Sequence, residues 1–279
     1  MTKWNLHTAA ALMAAVRKQL VVTAITVTIG MGAAWNFAPD LLTLLEKPLT
    51  GRTYLTDMKK AVYLKVREKY PSLYSRLALD KDPVSTPKVR QLNYSTPLEP
   101  FFIQCKISLL AGLFLSLPLI FFQLWRLIAP RIGQKGKRLV TPFVIVGTLS
   151  FCAGASFFLT FIWPFIINFS LSYEMTGLQS WFNLSAYINF CLRLILVFGL
   201  IFELPVISLL LARTGIVSYD FLARNRKYAL LASAVVAAFH ADLVTMFFIM
   251  VPLYSMYELS IWVTRFSGGK RASLSPAPA

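Results

Sequence analysis

Phe198-Gly199-Leu200-Ile201-Phe202-Glu203-Leu204-Pro205-Val206 sets one carboxyl group and one proline inside a long apolar run. An ionised side chain within a bilayer costs several kcal/mol, so an intramembrane acid is kept where it has a use. A proline at such a depth removes one backbone hydrogen bond and can bend the helix that carries it. The stretch predicts an all-α, polytopic membrane protein with a polar site part-way down a cavity. Glu203 is the first candidate residue, a polar anchor in a lipid-exposed or water-filled concavity. The competing reading is a carboxylate paired inside the bundle for packing.

Composition supports the membrane assignment. Of 279 residues, 57% are hydrophobic and only 14% charged, with a mean hydropathy of +0.62. A soluble domain carries about a quarter charged residues, so the excess apolar surface needs lipid to cover it. The net charge of +16 finds its counter-charge at an anionic lipid surface, and basic loops set topology. No aromatic and basic platform stands clear of the apolar runs, which argues against nucleic acid. Cys105, Cys152 and Cys191 lie far apart, each in an apolar run, and read as small buried hydrophobes.

Six apolar segments can be drawn, at about 20–38, 101–128, 139–169, 186–212, 228–239 and 243–263. A bilayer core needs about 20 helical residues, so the fifth is short, and it pairs tightly with the sixth through His240-Ala241-Asp242. Residues 1–19 form a basic N-terminal segment, 20–266 the six-span domain and 267–279 a flexible tail. The apolar run from Leu20 is too long for a cleaved signal and reads as a retained span. Segment 1–19 has no acid, which leaves a short mitochondrial presequence open. With the N-terminus inside, the inner face collects Arg17 and Lys18, the run from Arg131 to Arg138, Arg224 to Lys227, and Arg265 onward. The short loop around 170–185 has no Lys or Arg. This arrangement predicts N-in and C-in. The long loop 47–99 is basic despite lying outside. Within it, Met58, Ala61, Val62, Val66 and Tyr70 recur at helical spacing between lysines and arginines, which fits either an amphipathic helix on headgroups or a solvated cap.

Four further features carry candidate roles. Asp242 lies beside His240 at the turn, but residues two apart do not face each other on a helix, so a capping or interface acid is favoured over catalysis. His7 and His240 are the two histidines, too few for a His-rich metal site. Pro118, Pro164, Pro205 and Pro252 fall within or beside spans and predict kinked helices that form grooves, with Pro164 the best candidate for a simple helix start. Arg193 precedes Glu203 by about 80° of rotation and nearly three turns, and so snorkels toward the outer interface instead of pairing with it. The basic run Gly133 to Arg138 is explained by topology alone. No internal repeat is visible, which weakens a proton-coupled carrier built from two halves.

Other residues carry a resemblance. Lys47-Pro48-Leu49 follows the first span, and Thr96-Pro97-Leu98-Glu99-Pro100-Phe101-Phe102, then Lys106, precedes and enters the second. Leu115-Ser116-Leu117-Pro118, Gln123-Leu124-Trp125 and Ile128-Ala129-Pro130 lie along it, and Arg138-Leu139-Val140-Thr141-Pro142 opens the third. Phe202 to Val206, Gly215-Ile216-Val217, Arg224 to Tyr228, Pro252-Leu253-Tyr254 and Tyr257-Glu258-Leu259 complete the set. Over about residues 12–266 this resembles the TatC family, the polytopic core of twin-arginine protein translocation.

The resemblance implies a glove-shaped helical bundle driven by the proton-motive force, with no ATP and no bound cofactor. Its inner face, here Arg17, Leu127, Lys135, Lys137 and Arg138, would receive twin-arginine signal peptides. Glu203, with Gln123 and Asp242, would hold single-span TatA- and TatB-type partners. Pro48, Pro118, Pro205, Pro252 and Glu99 would be structural. The family's His-Leu-x-Glu-Leu-Arg-x-Arg pattern is Leu12 to Gln19 here, with Ala15 at its acid and Gln19 at its second arginine. Gly136 stands where the first inner loop has a glutamate, Leu127 replaces an aromatic residue, and Asp242 alone survives of Thr-Pro-Pro-Asp. Two readings follow: a signal-peptide receptor whose acids lie elsewhere, or a TatC-like structural subunit of a larger membrane complex that lost cargo binding. A bacterial cytoplasmic membrane and a mitochondrial inner membrane both stay open, as does the oligomeric number.

Overall fold

The computed structural model describes residues 6–50, 92–128, 140–172, 182–213, 217–238 and 243–266. They are almost entirely helical. The helices are α1 (Leu6–Ala34), α2 (Ala38–Glu46), α3 (Glu99–Ile128), α4 (Val140–Phe157), α5 (Trp163–Ser172), α6 (Leu184–Phe202), α7 (Leu204–Arg213), α8 (Tyr219–Arg224), α9 (Arg226–Ala238) and α10 (Leu243–Phe266). Among the described residues, five stretches are long and apolar enough to cross a bilayer: Arg17–Leu49, Glu99–Arg126, Val140–Leu171, Leu184–Arg213 and Thr245–Phe266. The segment expected as a short fifth span is α9, 13 residues long and about 20 Å end to end. It packs along α10. The first helix begins at Leu6, well before the apolar run at Leu20, because Ala-rich sequence sustains a helix without apolar patterning.

The chain divides into two compact units. The first comprises residues 1–30, 112–155 and 196–279. Its core joins Leu117, Phe121 and Trp125 of α3 to Phe143 and Phe151 of α4 and to Val206 and Leu210 of α7. The α3 residues recur every four positions, which places them on one stripe. Phe121 meets Phe143 edge to face at 5.9 Å, and Phe114 meets Phe151 at 5.3 Å, the favourable geometry for aromatic quadrupoles. Lipid tails are as apolar as leucine, so helices in a membrane associate through close packing and hydrogen bonds. Accordingly α1 meets α3 at small residues. A Cβ on Gly30 would stand 2.7 Å from the Gly112 carbonyl oxygen, and the Ser116 hydroxyl lies 2.7 Å from that oxygen and 3.2 Å from the Thr26 carbonyl. The outward residues of α1, among them Leu20, Ile25 and Ile29, are exposed. At the other end of this unit, Arg226 of α9 pairs with Glu258 of α10 at 3.1 Å. The Tyr257 hydroxyl donates to the Leu222 carbonyl of α8 at 2.8 Å.

The second unit comprises residues 31–111 and 156–195. Its centre is the C-terminal end of α2. The Leu45 carbonyl is one of the last-turn acceptors that a helix leaves without an internal partner. Two buried side chains supply donors: Trp163 Nε1 at 3.2 Å and the Tyr187 hydroxyl at 2.9 Å. Pro48 and Leu49 are buried in the turn that follows, against α5. Pro164, expected to start a helix, is the second residue of α5. A π-helical turn, Phe158–Ile162, precedes it and accommodates the missing amide donor without ending the rod.

Candidate functional site

Glu203 occupies the single non-helical position between α6 and α7. Pro205 causes the break, since it has no N–H for the carbonyl four residues back and its ring crowds that carbonyl. The turn is closed by the Glu203 amide on the Leu200 carbonyl at 3.2 Å, and the helix resumes with the Ile207 amide on the Glu203 carbonyl at 2.9 Å. The Ser150 hydroxyl of α4 donates to the Phe202 carbonyl at 2.6 Å, which satisfies a backbone group beside the break. Glycine brings α4 this close. A Cβ on Gly154 would fall 2.5 Å from the Phe198 carbonyl oxygen, and one on Gly199 would fall 2.5 Å from the Phe151 ring.

Here the structure corrects the sequence reading. Glu203 is only 3% exposed, so it faces neither lipid nor a water-filled concavity. Nor is it paired among the described residues, where neither buried carboxyl oxygen has a hydrogen-bond partner. The physical reason for the burial is the close approach of α4 at Gly154, with Phe151 laid on Gly199. On the helix spacing of Glu203, Leu200 is 63% and Ile207 43% exposed. These two exposed apolar residues flank the buried Glu203, one turn before it and one turn after it.

The remaining candidates separate by place. Gln123 Oε1 accepts from the Thr23 hydroxyl at 2.5 Å, which links α3 to α1. Glu99 sits at the first residue of α3 and gathers amides from two segments: Ser95 at 2.8 Å and Thr96 at 3.4 Å on one oxygen, and Ser185 at 2.8 Å on the other. Around it, Asn93 bridges to Asn183 in parallel, and Asn183 Nδ2 donates to the Ser95 hydroxyl at 3.0 Å. Glu99 thus ties the entry of α3 to the entry of α6. Pro118 and Pro252 lie inside α3 and α10, while Pro205 is buried at the break. Arg17 is exposed on α1, and Leu127 falls in the last turn of α3. Asp242, Lys135, Lys137 and Arg138 lie outside the described residues, as does the cationic helix expected at 57–70.

Some residues escaped sequence reading. Ser150, Thr23, Trp163 and Tyr187 have partners far along the chain, and no local spacing marks them. Gly154 and Gly199 carried a weak signal as small residues inside apolar runs.

Comparison with known proteins decides the family. Residues 11–252 match the family model described as Sec-independent protein translocase protein (TatC). The chain belongs to the TatC family. A TatC protein of Aquifex aeolicus is 29% identical over 264 residues, covering 94% of this chain and 96% of the relative. The TatC protein of Desulforapulum autotrophicum is 37% identical over 177 residues, 63% of this chain and 66% of the relative. A crystal structure of the twin-arginine translocase receptor TatC superposes with a TM-score of 0.69 at 27% identity, covering 92% of this chain and 99% of that one. This TatC-family chain is therefore an integral membrane protein of a protein-transport family, with the TatC fold.

Proposed function

We propose that this TatC-family chain is the signal-peptide receptor and partner scaffold of a twin-arginine translocase in a bacterial cytoplasmic membrane. The relatives named above are bacterial, which favours that membrane over a mitochondrial one. The observation that carries the scaffold role is the buried carboxyl group of Glu203, without a partner among the described residues, between the exposed Leu200 and Ile207. A single-span helix packed against Leu200 and Ile207 with a polar side chain inserted between them would supply a donor to this acceptor, and in lipid such a donor gains most from one. TatA- and TatB-type proteins are partners of this kind. The chain would work as part of an oligomer, orient N-in and C-in, draw on the proton-motive force, and act by binding instead of catalysis, with no cofactor.

Cargo recognition is assigned to the inner surface around Arg17, Leu127, Lys135, Lys137 and Arg138. A guanidinium pair binds best to carboxylates in bidentate geometry, and the positions where the family pattern has acids are Ala15 and Gly136. This departure favours acids supplied by a partner. It also sustains a second reading, a structural subunit without cargo binding.

Photo-crosslinking in membranes from a probe at Gly136, with a twin-arginine signal peptide and a twin-lysine control, separates the two. Crosslinks lost with the twin-lysine peptide establish the receptor. Equal crosslinking of both peptides to a folded protein overturns it and leaves the structural subunit. The scaffold role has its own test: Glu203→Ala should abolish crosslinking of a TatA- or TatB-type helix at Leu200. Unchanged crosslinking would remove Glu203 from that role.

A further inference from the structure

Two cations of the second unit sit where apolar contact with lipid is expected. Lys106 of α3 and Arg193 of α6 are both exposed. Lys106 Nζ donates to Asn189 Oδ1 at 2.9 Å, a neutral acceptor, and no hydrogen bond or ion pair reaches Arg193 among the described residues. Asn189 and Arg193 are one turn apart on α6 and share a face. Asn189 Nδ2 continues the chain to the Ser185 hydroxyl at 3.1 Å, and the Ser185 amide binds Glu99. A cavity of about 420 Å³ opens alongside, lined by Ser95, Thr96, Glu99, Phe102, Lys106, Asn183 and Ser185.

Helix length says where the bilayer boundary runs. Glu99–Arg126 and Leu184–Arg213 contain 28 and 30 residues, about 42 Å of helix in the first and at most about 45 Å in the second, which is broken at Glu203, against a hydrocarbon core of about 30 Å. Each carries a surplus. In each, the next cation along the run is about 20 residues, or about 30 Å, away: Arg126 beyond Lys106, and Arg213 beyond Arg193. The apolar lengths that match the core therefore begin at Lys106 and Arg193, and the cavity with its Glu99 cap lies in the headgroup layer above them.

We propose that Lys106 and Arg193 hold the phosphate of one phospholipid in the leaflet on the Glu99 side, with its headgroup in the cavity. Glu99, Lys106 and Arg193 sum to one positive charge, which complements a single phosphodiester. Phe102 and Leu109, exposed on the Lys106 face of α3, flank the phosphate, with Leu109 on the acyl-chain side. Asn189 positions the lysine and leaves its other ammonium protons for the lipid. The hydroxyl and amide groups of Ser95, Thr96 and Asn183 suit a glycerol head, and the Glu99 carboxylate that an ammonium head would seek is already engaged by three backbone amides.

The test uses the full chain with a benzophenone amino acid in place of Phe102. The protein is reconstituted in vesicles of phosphatidylethanolamine with phosphatidylglycerol as the minority lipid, and lipid adducts are identified by mass. Phosphatidylglycerol should be enriched over its vesicle fraction by about fivefold for each cation that contributes, since a basic residue at an anionic surface is worth that much. Lys106→Gln with Arg193→Gln should return the adducts to the vesicle composition, while Lys106→Arg with Arg193→Lys should keep the enrichment. Adducts at the vesicle composition in the parent protein, or enrichment that survives the double glutamine variant, overturn the proposal. So does a protein adduct in place of lipid in native membranes, which would mean that a partner helix occupies the surface.

Discussion

Replacing Glu203 by leucine should stabilise the isolated chain while removing its partner-binding capacity. Among the described residues both buried carboxyl oxygens lack a partner, and a buried polar group left unsatisfied costs about 1–3 kcal/mol. Leucine has a similar bulk and no polar atom, so it removes that penalty and leaves the packing of Phe151 on Gly199 and of α4 at Gly154 in place. At roughly 2–4 °C per kcal/mol for chains of this size, the gain is a rise of several degrees in Tm. The assay is thermal unfolding of the detergent-solubilised protein followed by near-UV circular dichroism, with Glu203→Gln beside it. Glutamine keeps a buried polar group and should leave the Tm near the parent value. A fall in Tm for Glu203→Leu would refute the reasoning, because it would show that the carboxyl group is already satisfied within the chain. The buried acid would then be structural, and the scaffold role would lose its physical basis.

Three further outcomes are expected. Gly154→Val should destabilise by about 1–3 kcal/mol, the usual cost of forcing extra atoms into a packed contact, whereas Gly32→Ala, with nothing within 4 Å of its Cβ, should not lower the Tm; equal effects of the two would disprove the close approach of α4 and α6. Glu99→Ala should speed hydrogen exchange at the Ser95 and Ser185 amides, and Glu99→Gln should do so less, since it keeps one acceptor oxygen; unchanged exchange would mean that other groups hold this cap. Tyr187→Phe should cost about 0.5–1.5 kcal/mol, because the Leu45 carbonyl keeps one donor in Trp163 Nε1; adding Trp163→Phe should cost more than the sum of the two single changes, and simple additivity in a double-mutant cycle would show that the two donors do not share one acceptor.

How much was legible in the sequence differs by feature. Hydropathy placed the long spans, because a bilayer demands a run of about 20 apolar residues whatever the neighbours are. The shortness of the segment at 228–239 was visible in the same way, and α9 is a 13-residue helix. Pro205 as a break follows from a missing amide hydrogen, which is a local property, whereas Pro164, expected to start a helix, lies within a rod that runs on through a π-turn. Glu203 stood out because an acid in an apolar run is rare. What could not be read was its environment. Ser150, Gly154 and Phe151 are about 50 residues away in the chain, and only their packing turns an expected exposed anchor into a buried, unpartnered one. Glu99 was visible as a family residue, but nothing in its spacing announced amides from Ser95 and Ser185.

The sequence by itself determined that this is a helical membrane protein of the TatC family, that an acid and a proline share one span, and that its basic residues gather between spans. These depend on the transfer of single side chains into lipid and on the backbone chemistry of proline, which act residue by residue. Only the tertiary structure decided that Glu203 is buried, that the Leu45 carbonyl receives two distant donors, and that Lys106 and Asn189 meet beside a polar cavity. Those are contacts between segments far apart in sequence. Hydrogen bonds and close packing hold them in a membrane, where hydrophobic burial does not drive helices together.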